Sequence, residues 1–329
     1  MLVCYARELK QSFANYVEET VRIMVPHLKF YFHDGVRTAA AESLPFLIES
    51  AKAKGAEYVI SMWKYIFPEL IAAIENESER DVLSELMSSL ETCITNLGRE
   101  FLSDDQLEGI VKVLDEHLKE HFERAQQRLE KRKDEDYDEG VEEALVDEVS
   151  FVVFFISVLS IQRQYSRILV FQQDDDVYIL SKVADVLHSC FSVCKDYFLR
   201  YFDMIYHRFV NLAANERSWT ERHWAICVMD DVVEHGGPAC EKYKEFFLPL
   251  FHNGLQSTQP EIRQASAYGF GVLAQYGGPN FAIDCAVSVP LLAQMIQAPD
   301  SLGDDNVCAT ENAISAVSKI LQFNSSMVS

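Results

Sequence analysis

Two histidines one helical turn apart are the first residues here that could do chemistry. The run His117-Leu-Lys-Glu120-His121 matches the H-x-x-E-H pattern of inverse zincins. On a helix, positions i and i+4 share a face, as zinc ligation requires. A zinc enzyme also needs a third ligand and a concave pocket, and this run lies in a Lys- and Glu-rich stretch, so it reads as a solvated helix face. Gly269-Phe-Gly271-Val-Leu-Ala274 resembles a dinucleotide fingerprint, but that fingerprint follows a strand and precedes an acidic residue about 20 positions on. Here it sits within a helical pattern, where glycine lets helices approach closely. Cys190 and Cys194, also at i and i+4 with His188 nearby, read as buried structural thiols. Trp63, Trp219 and Trp224 read as inter-helix core. No Ser/His/Asp order, phosphate-binding loop or basic aromatic stripe occurs. No catalytic, cofactor-binding or metal-binding residue is therefore assigned, and the chain reads as a binding scaffold rather than an enzyme. An α-helical metalloenzyme resting on His117 and His121 is the weakest of three competing readings.

The elements that carry these residues recur. In 329 residues there are only 9 Pro and 13 Gly, and 49% of the chain is hydrophobic, which suits long helices joined by short turns. An apolar helix over 16–30 is followed by His33-Asp34-Gly35 and a second helix opening Val36-Arg37 and running through three alanines to Leu44. An apolar helix over 243–255 is followed by a turn at 257–260 and a second helix opening Ile262-Arg263. Glu221-Arg222 opens a third such helix, and Arg222 and Arg263 lie 41 residues apart, within the roughly 40–47-residue period of HEAT and armadillo arrays. Small residues such as Ala39 to Ala41, Ala265 and Ala267 let paired helices approach, and Leu and Phe at helical spacing bury against the next pair. One pair cannot cover its own apolar face, so pairs must stack. The predicted fold is an all-α HEAT-repeat solenoid, a right-handed superhelix of antiparallel helix pairs. Its six units span about 14–55, 57–98, 103–195, 196–236, 239–277 and 281–323, with a tail at 324–329. Asp34 is expected to cap its helix, and Arg37, Arg222 and Arg263 to pair with an Asp of a neighbouring turn.

The charge is strongly negative, 51 acidic against 29 basic residues, net −22. This argues against direct nucleic-acid binding, which needs clustered Lys and Arg, and favours basic partners. Eight cysteines with no CxxC pair read as reduced, buried thiols of the cytosol or nucleus. Met1 to Lys10 show no signal-peptide pattern, and the apolar run from Val149 to Ile161 is too short to span a bilayer, which needs about 20 residues. The long third unit carries an acidic loop over 134–176, expected to be disordered. Its Asp134, Glu135, Asp136, Asp138, Glu139, Glu142, Glu143, Asp147, Glu148, Asp174, Asp175 and Asp176 are candidate contacts for a basic partner surface. Within it, residues 149–172 are apolar, β-branched and aromatic. Val149-Ser150 can be encoded by a 5′ splice signal and Phe171-Gln172 by a 3′ one, so the segment reads as a retained intron, with a genuine insertion as the alternative.

Several strings are more specific than a helix-pair consensus. They include Leu28-Lys-Phe-Tyr-Phe-His-Asp-Gly-Val-Arg37, Lys133-Asp-Glu-Asp-Tyr-Asp138, Asp176-Val-Tyr-Ile-Leu180, Ala274-Gln-Tyr-Gly-Gly278 and Ala309-Thr-Glu-Asn312. Through them nearly the whole chain, apart from 149–172 and the last few residues, resembles the karyopherin β family of nuclear import receptors, in its importin β-3 type and towards the C-terminal part. The resemblance implies a segment of a longer HEAT superhelix that shuttles between cytoplasm and nucleus. It implies basic protein cargo (ribosomal proteins, histones), Phe-Gly nucleoporins and the GTPase Ran as partners, with the main Ran clamp in N-terminal repeats absent here. It implies that second helices line the concave binding face, including the exposed sides of 37–44, 222–229 and 263–270. A HEAT scaffold or regulatory subunit of another multiprotein complex is the alternative.

Overall fold

The computed structural model describes residues 2–131 and 175–327. Thirteen α-helices make up the described residues, with no strand among them: α1 Leu2–Leu9, α2 Val17–His27, α3 Asp34–Ala51, α4 Ala56–Asn76, α5 Arg80–Leu97, α6 Asp104–Lys131, α7 Asp175–Cys194, α8 Leu199–Leu212, α9 Trp219–Gly236, α10 Lys244–Gly254, α11 Pro260–Tyr276, α12 Ala282–Gln297 and α13 Val307–Asn324. From α2 onward they pair in sequence. The second helices α3, α5, α7, α9, α11 and α13 stack in an unbroken row, with α1 against α3 at one end, while α2, α4, α6 and α8 pack on one another in an outer row. This is a HEAT-type helix-pair solenoid. The candidate loop residues 134–174 and the segment 149–172 lie outside the described residues. Because α7 stacks on α5 as α5 stacks on α3, the row continues on either side of them.

Small residues explain why the second helices pack so closely. A Cβ on Gly271 would meet Ala316 Cα of α13 at 3.4 Å, and one on Gly269 would meet Asp230 Oδ1 of α9 at 2.5 Å. These glycines serve helix approach. Pro45 supplies a different contact. With no N–H it leaves the carbonyl of Ala41 without its helical partner, and the hydroxyl of Ser89 on α5 donates to that carbonyl at 2.7 Å. A helix defect thus becomes a bond between neighbouring units.

Every junction from a second helix to the next first helix passes through a residue of positive φ: Lys10, Gly55, Gly98, Lys195, Gly237 and Gly278. At Gly55 (φ 95°, ψ 165°) and Gly98 (φ 83°, ψ 167°) the backbone occupies a region open essentially only to glycine. A Cβ at Gly55 would touch nothing within 4 Å. Gly55→Ala is therefore expected to cost about 1–3 kcal/mol through backbone conformation alone. Urea unfolding of the variant measures it, and a cost below about 0.5 kcal/mol would mean that the junction relaxes freely.

Polar bridges recur at the repeat period. Lys29–Glu69, Arg37–Glu77 and Lys244–Asp284 each join residues 40 apart. Across the third unit the matching bridges, Tyr197–Asp104 and Arg208–Asp115, join residues 93 apart, so that unit is longer in sequence while the helix lattice is kept.

Three sequence expectations need correction. Asp34 is the first residue of α3, not its cap, and its carboxylate accepts from the Gly35 N–H at 2.7 Å. Arg37 pairs with Glu77 rather than an Asp, and Arg263 with Asn306, while Arg222 makes no such bridge and its Nε has no partner. The reason lies in the facing turn. Residues 255–259 are Leu-Gln-Ser-Thr-Gln and hold no carboxylate for Arg222. Finally, Cys4 and Cys308 are exposed and Cys227 is half-buried, whereas the other five thiols are buried. The apolar stretch Pro279–Gln297 has the length and hydropathy of a membrane span, but in this fold most of it forms α12, with Cys285 and Leu292 buried against the solenoid and Ile283 and Val287 exposed.

Candidate functional site

The side chains left outside the stacked second helices form a polar ladder crossing all six of them. Glu42 of α3 faces Glu85 of α5. Burial, and then the Glu42 carboxylate, push the Glu85 carboxyl above its ordinary range, while Lys182 of α7 pulls it back. Lys182 Nζ lies 3.3 Å from Asp185 Oδ2 one turn along α7. One further turn on, His188 Nδ1 lies 2.7 Å from Asp231 Oδ1 of α9, and this hydrogen bond raises the His188 pKa above its ordinary value. Tyr268 of α11 donates to Glu234 Oε2 of α9 at 2.6 Å, and Lys319 of α13 stands over the Tyr268 ring. Five carboxylates thus face two lysines and one histidine. At one end of the ladder, α1, α3 and α5 enclose an open groove of about 620 Å³, with Ala6, Pro45 and Phe46 on its walls, Glu42, Glu49 and Glu85 among its acids, and Arg7 and Lys10 on the α1 side. Such a surface can hold the aliphatic stem of a Lys or Arg against apolar wall and its charge against a carboxylate.

Among the predicted site residues, Asp134, Glu135, Asp136, Asp138, Glu139, Glu142, Glu143, Asp147, Glu148 and Asp174 lie outside the described residues. Asp175 and Asp176 open α7, but their side chains are not among those described. Arg37 and Arg263 are brought into the turns between units. Arg37 joins the Phe30 carbonyl of its own pair to Glu77 of the next, and Arg263 joins the Ser257 and Thr258 carbonyls to Asn306. They hold consecutive pairs together and do not face the ladder. The ladder itself was missed from sequence. Its signal is a carboxylate recurring one repeat apart on second helices, as at Glu42 and Glu85.

The paired histidines are not a solvated face. His117 and His121 are 5% and 3% exposed, turned inward from α6. His117 Nε2 meets the Ile74 carbonyl of α4 at 3.2 Å, where burial lowers the His117 pKa. His121 Nε2 lies 2.9 Å from Glu221 Oε1 at the start of α9. The surface of α6 is charged, but these two positions fall on its core-facing stripe, so they belong to helix packing.

Fold and ladder together describe a helix-pair solenoid with a long acidic face along its second helices. Residues 82–151 and 162–215 match the family model described as Importin repeat 6. The chain is 28% identical to importin subunit beta-3 of Saccharomyces cerevisiae, over 99% of this chain and 28% of that protein. It is 27% identical to a probable importin-5 homolog of Dictyostelium discoideum, over 98% of this chain and 29% of that protein. The crystal structure of Kap121p bound to RanGTP superposes with a TM-score of 0.78 at 25% identity, covering 99% of this chain and 27% of Kap121p. The relatives that the chain resembles are of the importin β-3 and importin-5 type. The chain spans just over a quarter of the length of the relatives it matches.

Proposed function

We propose that this chain is a protein-binding segment of a nuclear transport receptor, a non-catalytic scaffold whose second-helix face receives basic segments of protein cargo. The ladder from Glu42 through Glu85, Asp185, Asp231 and Glu234 carries this reading, because it presents carboxylates at repeat spacing to an extended basic chain. Kap121p, similar over nearly all of this chain, has been solved bound to RanGTP, to Nup53p and to Pho4p. That likeness supports Ran, a nucleoporin and protein cargo as partners. The acidic ladder favours cargo that is basic, and the proposed partners are ribosomal-protein and histone cargo and Phe-Gly nucleoporins, met while the receptor shuttles between cytoplasm and nucleus. The acidic residues Asp134 to Glu148 and Asp174 to Asp176 add further attraction for the same basic partners.

The test is binding of a fluorescent Lys/Arg-rich histone-tail peptide to the chain, followed by anisotropy at two salt concentrations. Wild type binds, and more weakly at high salt. The triple variant Glu42→Lys, Glu85→Lys, Asp185→Lys is expected to bind about 3- to 150-fold more weakly, from three partly exposed contacts worth roughly 0.2–1 kcal/mol each. Equal affinity in wild type and variant would remove the ladder as the binding surface.

A further inference from the structure

One cluster on the second-helix face shares His188 and Asp231 with the ladder and has, with His235, a further chemistry, that of metal ligation. His188 on α7 and Asp231 and His235 on α9 bring one nitrogen, one carboxylate oxygen and one nitrogen within 4.8 Å of one another. The two imidazole rings meet edge to face with centroids 5.6 Å apart. Asp231 and His235 are one helical turn apart, so both point the same way from α9 towards α7. We propose that His188, Asp231 and His235 form a binding site for a divalent transition-metal cation of the zinc type, which staples α7 to α9.

The ligand set is suited to it. Two imidazoles and one carboxylate are a known three-residue set for zinc, with a fourth position left to water or an incoming group. Tetrahedral zinc holds such atoms about 3.3 Å from one another. Closure therefore requires the three side chains to draw together, and His188, whose side chain is 56% exposed, is free to turn. The proton now held between His188 Nδ1 and Asp231 Oδ1 leaves to solvent when a cation takes its place. Glu234 and Asp185 add negative charge close by, which favours a cation.

The ring of His235 shows what a cation has to displace. Its Nε2 is buried with no hydrogen-bond partner, and its Nδ1 lies 3.3 Å from the ammonium of Lys195. A neutral imidazole has a single lone pair, and here the ammonium takes it. Whichever nitrogen binds the metal, Lys195 must withdraw. Lys195 is exposed, at a junction of positive φ, and its long side chain can swing into solvent. It occupies the site as a built-in competitor.

Isothermal titration of the 329-residue chain with zinc, together with the visible spectrum of the cobalt(II) form, tests the proposal. Expected are one equivalent bound with a cobalt spectrum lacking a thiolate charge-transfer band, which separates this site from the cysteines. Zinc should also raise the melting temperature. His188→Ala and His235→Ala, both with helical circular dichroism retained, should each weaken binding by more than the roughly 10–100-fold cost of losing an outer-shell partner. Lys195→Ala should tighten it. Absence of binding, a thiolate band, or wild-type affinity in either histidine variant would overturn the site. Unchanged affinity in Lys195→Ala would overturn the displacement of Lys195.

Discussion

Arg37→Met is expected to destabilise the chain by about 3–5 kcal/mol, the largest effect of any single substitution considered. The Arg37 and Glu77 side chains are 4% and 2% exposed, and the guanidinium grips the carboxylate through Nε at 2.7 Å and through Nη2 at 3.2 Å. Removing one partner leaves the other charge buried and unpaired, which costs far more than losing an exposed pair. The same guanidinium donates to the Phe30 carbonyl and lies 5.9 Å from the Tyr31 ring, so the substitution also loosens the turn between α2 and α3. Paired with Glu77→Leu, Arg37→Met should regain most of the loss, because replacing both charges by apolar groups is often close to neutral. Urea unfolding of the two single variants and the double variant gives the coupling energy. A loss below about 1 kcal/mol in Arg37→Met would show that water reaches the pair and that the buried reading is wrong.

That bridge also marks where the sequence was legible. The recurrence of an aliphatic residue followed by Arg at the start of second helices revealed the repeat, because the position is set by backbone geometry that every unit shares. The partner of each Arg was not legible. It lies about 40 residues on, in another turn, and can be Glu77, Asn306 or nothing at all. The inward turn of His117 and His121 was hidden for a related reason. Composition describes the whole of α6, whereas burial depends on which stripe faces α4 and α9, and that is fixed by partners far away in sequence. The acidic ladder was hidden because Glu42, Glu85, Asp185 and Glu234 are spread over four helices and become neighbours only when the pairs stack. Glycine junctions, by contrast, could have been read directly, since Gly55, Gly98, Gly237 and Gly278 all follow second helices.

The second large effect concerns Glu221, which ties α6 to α9 across 100 residues of sequence. Burial alone would raise its carboxyl. The donors around it outweigh burial: His121 Nε2 at 2.9 Å, the Ser218 N–H at 2.9 Å and the Ser218 hydroxyl at 2.8 Å hold the pKa down to about 2, from an ordinary 4.5. A carboxyl depressed in the folded state is protonated first in the unfolded chain, so acid favours unfolding. Its stabilisation is complete above pH 4.5 and is lost as pH falls towards 2. At 1.36 kcal/mol per pKa unit, less an allowance for residual solvent screening, the contribution is about 2–3 kcal/mol. Glu221→Gln keeps the shape and removes the charge. It should lower stability at pH 7 by about 2 kcal/mol and flatten the fall between pH 4.5 and 2, measured as wild type minus variant in urea melts across that range. Identical acid slopes would mean that Glu221 is not depressed in the folded state. Because His121 and Glu221 hold the third pair to the fourth, their separation should also speed amide exchange in the second half of α6 before the stacked second helices open.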